Sequence, residues 1–234
     1  MEREHISIIN EAEFHEVSKK LLEMGGKVEM MINNAIKSLV ERDSALAKQT
    51  IVFDHEINAL EVGIEEKFLH IIATRQPKVH DLHFITLGLK IVTDLERIRK
   101  LCVGVAKRAL ELNQEPPLKT YIDLPRMAHW TAVMVKDALA AFVRCDEELA
   151  HKVCKDCHFV NNHNEKVQRV LLTFMMEEPE TISHGIKINH ISKCLERIAD
   201  HAAKIAEMVI FIIKGKYIRS TISYVQPSSP EIGV

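Results

Sequence analysis

The tetrapeptide Leu95-Glu96-Arg97-Ile98 returns 100 residues later as Leu195-Glu196-Arg197-Ile198, inside a longer repeated helical pattern. Ile91, Ile98, Val105 and Leu112 step by seven in the first copy; Ile191, Ile198, Ile205 and Ile212 do so in the second. Leu95, Cys102 and Ala109 are answered by Leu195, Ala202 and Val209. Apolar residues at a seven-residue step, with a second set four later, draw one stripe along a helix that a bundle must cover. Two copies of such a helix in one chain point to two tandem bundles. Glu96 and Glu196 fall about 160° from the seam, which predicts a carboxylate on the outward side of each repeated helix.

Helical periodicity continues outside the repeat. A first helix is expected over 10–41, with Leu21, Met24, Val28, Met31, Ile32, Ala35 and Leu39 at three- and four-residue spacing. Gly25-Gly26 interrupts it, as a kink or a close helix crossing. Asp43-Ser44 offers a cap for a second helix over 45–73, which would turn Phe53, Ile57, Leu60, Ile64, Phe68 and Ile71 inward. The third helix, 81–112, is the first copy of the repeat, and Pro116-Pro117 then breaks the pattern. Helices over 124–144, 147–176 and 179–214 repeat the plan. Leu39 to Ala47 aligns with Phe142 to Ala150 at an offset of 103, which becomes 100 by the repeated helix. The predicted fold is all-α, a tandem repeat of two antiparallel three-helix bundles, residues 1–115 and 118–216. A tail over 217–234, with Pro227, Ser228, Ser229 and Pro230, is expected to be disordered.

Composition narrows the function. Apolar residues make up 47% and aromatics only 5%, which suits aliphatic helix packing. With 31 basic and 33 acidic residues there is no basic excess of the kind nucleic-acid binding requires. The start, Met1-Glu-Arg-Glu-His, lacks a secretion pattern. The longest strongly apolar run, 208–213, falls far short of the roughly 20 residues of a membrane span. A soluble cytoplasmic chain is expected, and five cysteines argue against a disulfide framework.

Two three-helix repeats that each close on Leu-Glu-Arg-Ile resemble the PhoU family. Met24-Gly25-Gly26 and the run Asp54-His-Glu-Ile-Asn-Ala-Leu-Glu61 add to the likeness, which spans the chain to about Lys214. The resemblance implies a non-enzymatic, cytoplasmic negative regulator of phosphate uptake and phosphate-starvation signalling. Such a protein acts as an adaptor between the ATPase subunit of a phosphate ABC importer and a sensor histidine kinase. It would be recruited to the inner face of the membrane through those partners, and a homodimer is expected. The alternative is a metal-binding bundle with a redox or metalloenzyme role. That chemistry needs Glu and Glu-x-x-His pairs pointing inward, and the repeated helices contain no Glu-x-x-His.

The resemblance also implies surface metal clusters on a Glu/Asp-x-x-x-Asp motif. Acidic residues four apart share a helix face and repel unless a cation lies between them. The motif is intact as Glu196-Arg-Ile-Ala-Asp200, but the first copy reads Glu96-Arg-Ile-Arg-Lys100, with a cation in the acid's place. Asp54, Asn58, Glu61 and Glu65 form an acidic stripe on the second helix; their counterparts are Cys157, Asn161, Asn164 and Gln168. The candidate metal residues are therefore Glu196, Asp200, Asp54, Asn58, Glu61, Glu96 and Cys157, with iron or zinc as the expected ion. Cys154-Lys-Asp-Cys157-His158 matches the haem-attachment string, yet it falls inside a predicted bundle helix without an export signal, and no haem is expected. Cys154 and Cys157, three apart on a helix, could share a softer ion, with idle thiols as the plainer reading.

Overall fold

A computed structural model describes residues 11–75, 77, 79–116 and 123–214. Every regular element among them is helical: α1 (Glu11–Val40), α2 (Ser44–Val52), α3 (Asp54–Arg75), α4 (Val79–Leu112), α5 (Asp123–Arg144), α6 (Glu147–Glu177) and α7 (Ile182–Lys214). The tail expected to be disordered, 217–234, lies outside the described residues, as does Pro117 of the expected boundary.

The first corner of each half is built the same way. Arg42 and Cys145 hold positive φ angles of 55° and 51°, and close α1 and α5 in the left-handed conformation that ends many helices. The next amide reaches back five residues, Asp43 N to Ser38 O and Asp146 N to Ala141 O, each at 2.9 Å. The same aspartates cap the following helix. Asp43 Oδ1 accepts from the amides of Ala45 and Leu46 at 2.9 Å, and Asp146 Oδ1 from Leu149 at 3.0 Å. This turn is the offset of 103 made visible in backbone.

Beyond the corner the halves diverge in detail. The second helix expected over 45–73 is interrupted by a turn at Phe53, which separates α2 from α3 and lets Asp54 and Glu56 open a new helical start. Its counterpart α6 runs unbroken past Asp156. A 3-10 turn, Pro179–Thr181, precedes α7, where one continuous helix was expected.

α1 to α4 form the first bundle and α5 to α7 the second, and the two join along α1 against α5 and α4 against α7. The predicted stripe of α1, from Leu21 to Leu39, is at most 1% exposed. Ile91, Ile98, Val105 and Leu112 are equally closed, as are Ile191, Ile198 and Ile205; Ile212 is partly open. Both seams belong to one continuous core. Fully burying each such side chain is worth about 1.5–3 kcal/mol. Gly25 makes room at the α1–α5 crossing: a Cβ there would meet Leu139 Cδ1 at 2.0 Å, and the leucine side chain would have to move.

α4 and α7 cross in antiparallel sense. Asp94 Oδ1 meets His201 Nδ1 at 2.8 Å, whereas a Cβ at Gly104 would lie 3.9 Å from His190 Nε2. His201 is buried in this bridge between bundles. Farther along, Glu115 accepts from Lys187 and lies 3.0 Å from His184 Nδ1, which ties the end of the first half to the start of α7.

Candidate functional site

On the first bundle the candidate residues gather on the flank where α3 lies along α4. Asp54 and Glu61, seven apart, share one face of α3; Glu96, Arg99 and Lys100 share the facing side of α4. Arg99 occupies the centre and is only 5% exposed. Its Nη1 donates to Asp54 Oδ1, and Nη2 lies 3.8 Å from Glu61 Oε2 and 3.9 Å from Glu96 Oε1. Lys100 Nζ closes on Glu96 Oε1 from outside. Burial raises the Glu61 carboxyl above its ordinary range, the nearby Glu96 charge adds to that, and Arg99 opposes it. Glu61 Oε2 and Arg99 Nε are buried without a hydrogen-bond partner among the described residues. Asn58 lies exposed, outside this ion-paired group. Glu96 was expected to face outward; its side chain is instead 23% exposed, sheltered by α3.

These residues do not fit a resident metal ion, because two cations already stand among the carboxylates. Lys100 was visible in the motif. Arg99, three residues after Glu96 and therefore on the same face, is the residue of this cluster that sequence reasoning missed.

The second flank, between α6 and α7, is built from different chemistry. Cys157 Sγ donates to Asp200 Oδ1 at 3.6 Å, and its thiol is pushed up to about 12, first by burial and then by the Asp200 charge. The Asp200 carboxyl is itself raised by lost hydration; the Cys157 hydrogen bond works against this and Glu196 reinforces it. Glu196 turns to Lys193 at 2.6 Å, its side chain 20% exposed rather than fully outward. Asn164, in the place of Glu61, is buried and accepts from Ser192 Oγ at 2.7 Å. Cys154 faces the Ala203 carbonyl at 3.9 Å, and burial lifts its thiol to about 11. His158 points away, lining an outer depression with His151 and Lys155, so the Cys-x-x-Cys-His string does not gather round one point. Cys157, Glu196 and Asp200 remain on facing helices, and the hydrogen bond joins Cys157 to Asp200. Among the described residues no three His, Cys, Asp or Glu side chains are arranged to hold one metal ion.

A second feature appears on the outer face of α5 and α6. Trp130 and Phe159 lie with ring centroids 5.8 Å apart, and Phe159 is 54% exposed. His163 packs edge-on against Trp130 at 4.7 Å, and the Arg126 guanidinium covers the ring at 4.8 Å. Two depressions meet at Phe159, Lys152 and Asp156; one is also lined by His129, Val133 and Met134, the other by His151, Lys155 and His158. At the offset of 103, Trp130 answers Lys27 and Phe159 answers Glu56. Those two form an ion pair, Nζ to Oε2 at 2.7 Å, on the first bundle. One aligned pair is ionic and its duplicate is aromatic.

Comparison with known proteins follows this duplication. The family model described as the PhoU domain matches twice, over residues 21–109 and 124–209. The phosphate-specific transport system accessory protein PhoU homolog of Pseudomonas putida is 39% identical over 216 residues, covering 92% of this chain and 84% of that protein. The corresponding Escherichia coli K12 protein is 32% identical over 215 residues, with 92% and 89% covered. The crystal structure of PhoU from Pseudomonas aeruginosa superposes with a TM-score of 0.84 at 39% identity, over 88% of this chain and 99% of that one. The phosphate transport system regulatory protein PhoU from Streptococcus pneumoniae superposes with a TM-score of 0.83 at 26% identity, over 89% and 99%.

Proposed function

This chain belongs to the PhoU family, and on that footing we propose that it is a phosphate-transport accessory protein acting as a non-enzymatic adaptor. It restrains a phosphate ABC importer, and the starvation response governed by a sensor histidine kinase, when phosphate is plentiful. It does so from the cytoplasmic side, as a homodimer recruited through its partners. The names of its relatives support the transport half of this reading: they are accessory and regulatory proteins. Among the described residues no helix is long and apolar enough to cross a membrane.

The observation that carries the adaptor reading is the Trp130–Phe159 pair, in which the exposed Phe159 lies against a half-buried Trp130. Aromatic side chains offer large contact area with little rotamer entropy to lose, and clustered Trp and Arg dominate binding energy at interfaces. The rim around the pair carries Arg126, His129, His151, Lys155 and His158 against Glu148 and Asp156. This excess of nitrogen-bearing side chains complements an amphipathic helix with apolar anchors and acidic flanks. The occupant is such a segment of the importer's cytoplasmic ATPase subunit.

Cells lacking this gene should show raised alkaline phosphatase and phosphate uptake in phosphate-rich medium. The wild-type chain should restore repression, whereas Trp130→Lys/Phe159→Glu, which writes the first bundle's ion pair onto the second, should not. Unchanged phosphatase and uptake in the deletion would remove the regulatory reading. Full repression by the double variant would remove the docking face.

A further inference from the structure

We infer that the first bundle carries its own cation, Arg99, where the family resemblance places a metal, so that its carboxylates are closed to metal ions in the wild-type chain. Three carboxylates from two helices converge on one guanidinium. Asp54 takes a charge-assisted hydrogen bond, and Glu61 and Glu96 stand within 4 Å of Nη2. The Arg99 side chain is 6% exposed and those of Asp54, Glu61 and Glu96 are 26, 14 and 23% exposed. A guanidinium this deep needs local counter-charge, and its planar fork can serve several carboxylates at once. Lys100 then occupies the remaining approach to Glu96. A divalent ion entering here would have to expel one tethered cation and lie against another. The tether matters, because α4 keeps the guanidinium at high effective concentration whatever ions are in solution.

The duplication provides an internal control. Where the first bundle has Arg99 and Lys100 the second has Ala199 and Asp200; where the first has Asp54 and Glu61 the second has Cys157 and Asn164. The guanidinium is absent from the half that also lacks the two α3-type carboxylates it serves. Asn164 there finds an ordinary neutral partner in Ser192. Glu96 keeps its counterpart Glu196, but the cation and the two α3 carboxylates are present together or absent together, as expected if Arg99 is the counter-ion of Asp54 and Glu61. A cluster awaiting a metal would instead keep its carboxylates and leave the centre open.

The test counts ions on the full chain in the Glu196→Gln/Asp200→Asn background, so that only the first bundle is read. Manganese and zinc are titrated calorimetrically, and bound metal is measured after gel filtration. With Arg99 in place the expected result is no retained ion. Adding Arg99→Ala/Lys100→Asp should create a site for about one ion per chain, abolished again by Glu61→Gln. Arg99→Gln keeps the stem that packs between the helices, and serves if the double change unfolds the chain. An ion held while Arg99 is present, and lost in Glu61→Gln or Glu96→Gln, would overturn the inference. A folded Arg99→Ala/Lys100→Asp chain that retains no ion would overturn it too.

Discussion

The two halves share a backbone and differ in pairs of side chains. The corner residues correspond: Arg42 and Cys145 take the same left-handed conformation, and Asp43 and Asp146 supply the same cap. At three other places residues that touch in the first bundle have changed together in the second. Lys27 with Glu56 becomes Trp130 with Phe159, an ion pair replaced by an aromatic pair. Arg99 with Asp54 and Glu61 becomes Ala199 with Cys157 and Asn164, a charged cluster replaced by neutral groups. Phe68 against Gly88 becomes Leu171 with Ile188, one large and one absent side chain replaced by two of middle size. A duplicated bundle keeps its turns by fixing single residues, but it tolerates change in packed or paired positions only when both partners move. Function can then enter one half without disturbing the frame of the other.

Removing the counter-ion of the first flank should have the largest effect. Arg99→Ala leaves Asp54, Glu61 and Glu96 mutually repelling and part-buried, and should cost about 3 kcal/mol in urea unfolding. The contrast is Asp200→Asn on the second flank. Burial raises the Asp200 carboxyl, so its charge gains nothing from folding, and a neutral amide of the same shape should cost less than about 0.5 kcal/mol. Equal losses would erase the distinction between the flanks.

The volume exchange makes a double-mutant cycle. A Cβ at Gly88 would lie 2.3 Å from Phe68 Cζ, so Gly88→Ile alone should overpack the core by about 2–3 kcal/mol. Phe68→Leu alone should cost about 1 kcal/mol through the space it leaves. Together they recreate the arrangement of the second bundle, and the pair should recover at least about 1 kcal/mol of the summed losses. Additive losses in equilibrium denaturation would show that the two positions are not coupled.

Acid should loosen the tie between halves. The Lys187 hydrogen bond and charge hold the Glu115 carboxyl below its ordinary 4.5, and burial holds His184 below 6.5. As pH falls, the unfolded chain therefore takes up each proton before the folded chain does. The stabilisation is complete above about pH 6.5 and declines as pH drops through the lowered values. Melting temperatures scanned downward from neutral pH should fall less steeply for Glu115→Gln than for wild type. The smallest effect belongs to the exposed ion pair: Lys27→Ala should change stability by less than about 0.5 kcal/mol.

Most of the fold was legible because its determinants are local or periodic. The stripe of α1, the seams of α4 and α7 and the Asp43 cap follow from local spacing, and the tandem plan from the repeat at an offset of 100. The break at Phe53 was not, since no proline or glycine marks it and the aligned Asp156 lies in an unbroken helix. Burial of Asp94 and His201, and the grip of Lys187 and His184 on Glu115, depend on how the bundles meet. Residues that contact across about 70 positions or more leave no local trace. At the site, Lys100 was readable as a motif departure, whereas Arg99 gained meaning only when α3 was laid beside it. Trp130 and Phe159 could have been found from the offset of 103 alone, by asking which aligned pairs change character together.

Binding of the importer's ATPase subunit by isothermal titration calorimetry is the decisive measurement, made on wild type, Trp130→Lys/Phe159→Glu and Lys27→Trp/Glu56→Phe. Wild type and the first-bundle variant should bind alike, while Trp130→Lys/Phe159→Glu weakens binding about thirtyfold or more with its helical content unchanged. Undiminished binding by a folded Trp130→Lys/Phe159→Glu chain would contradict the assignment of the docking face to the second bundle.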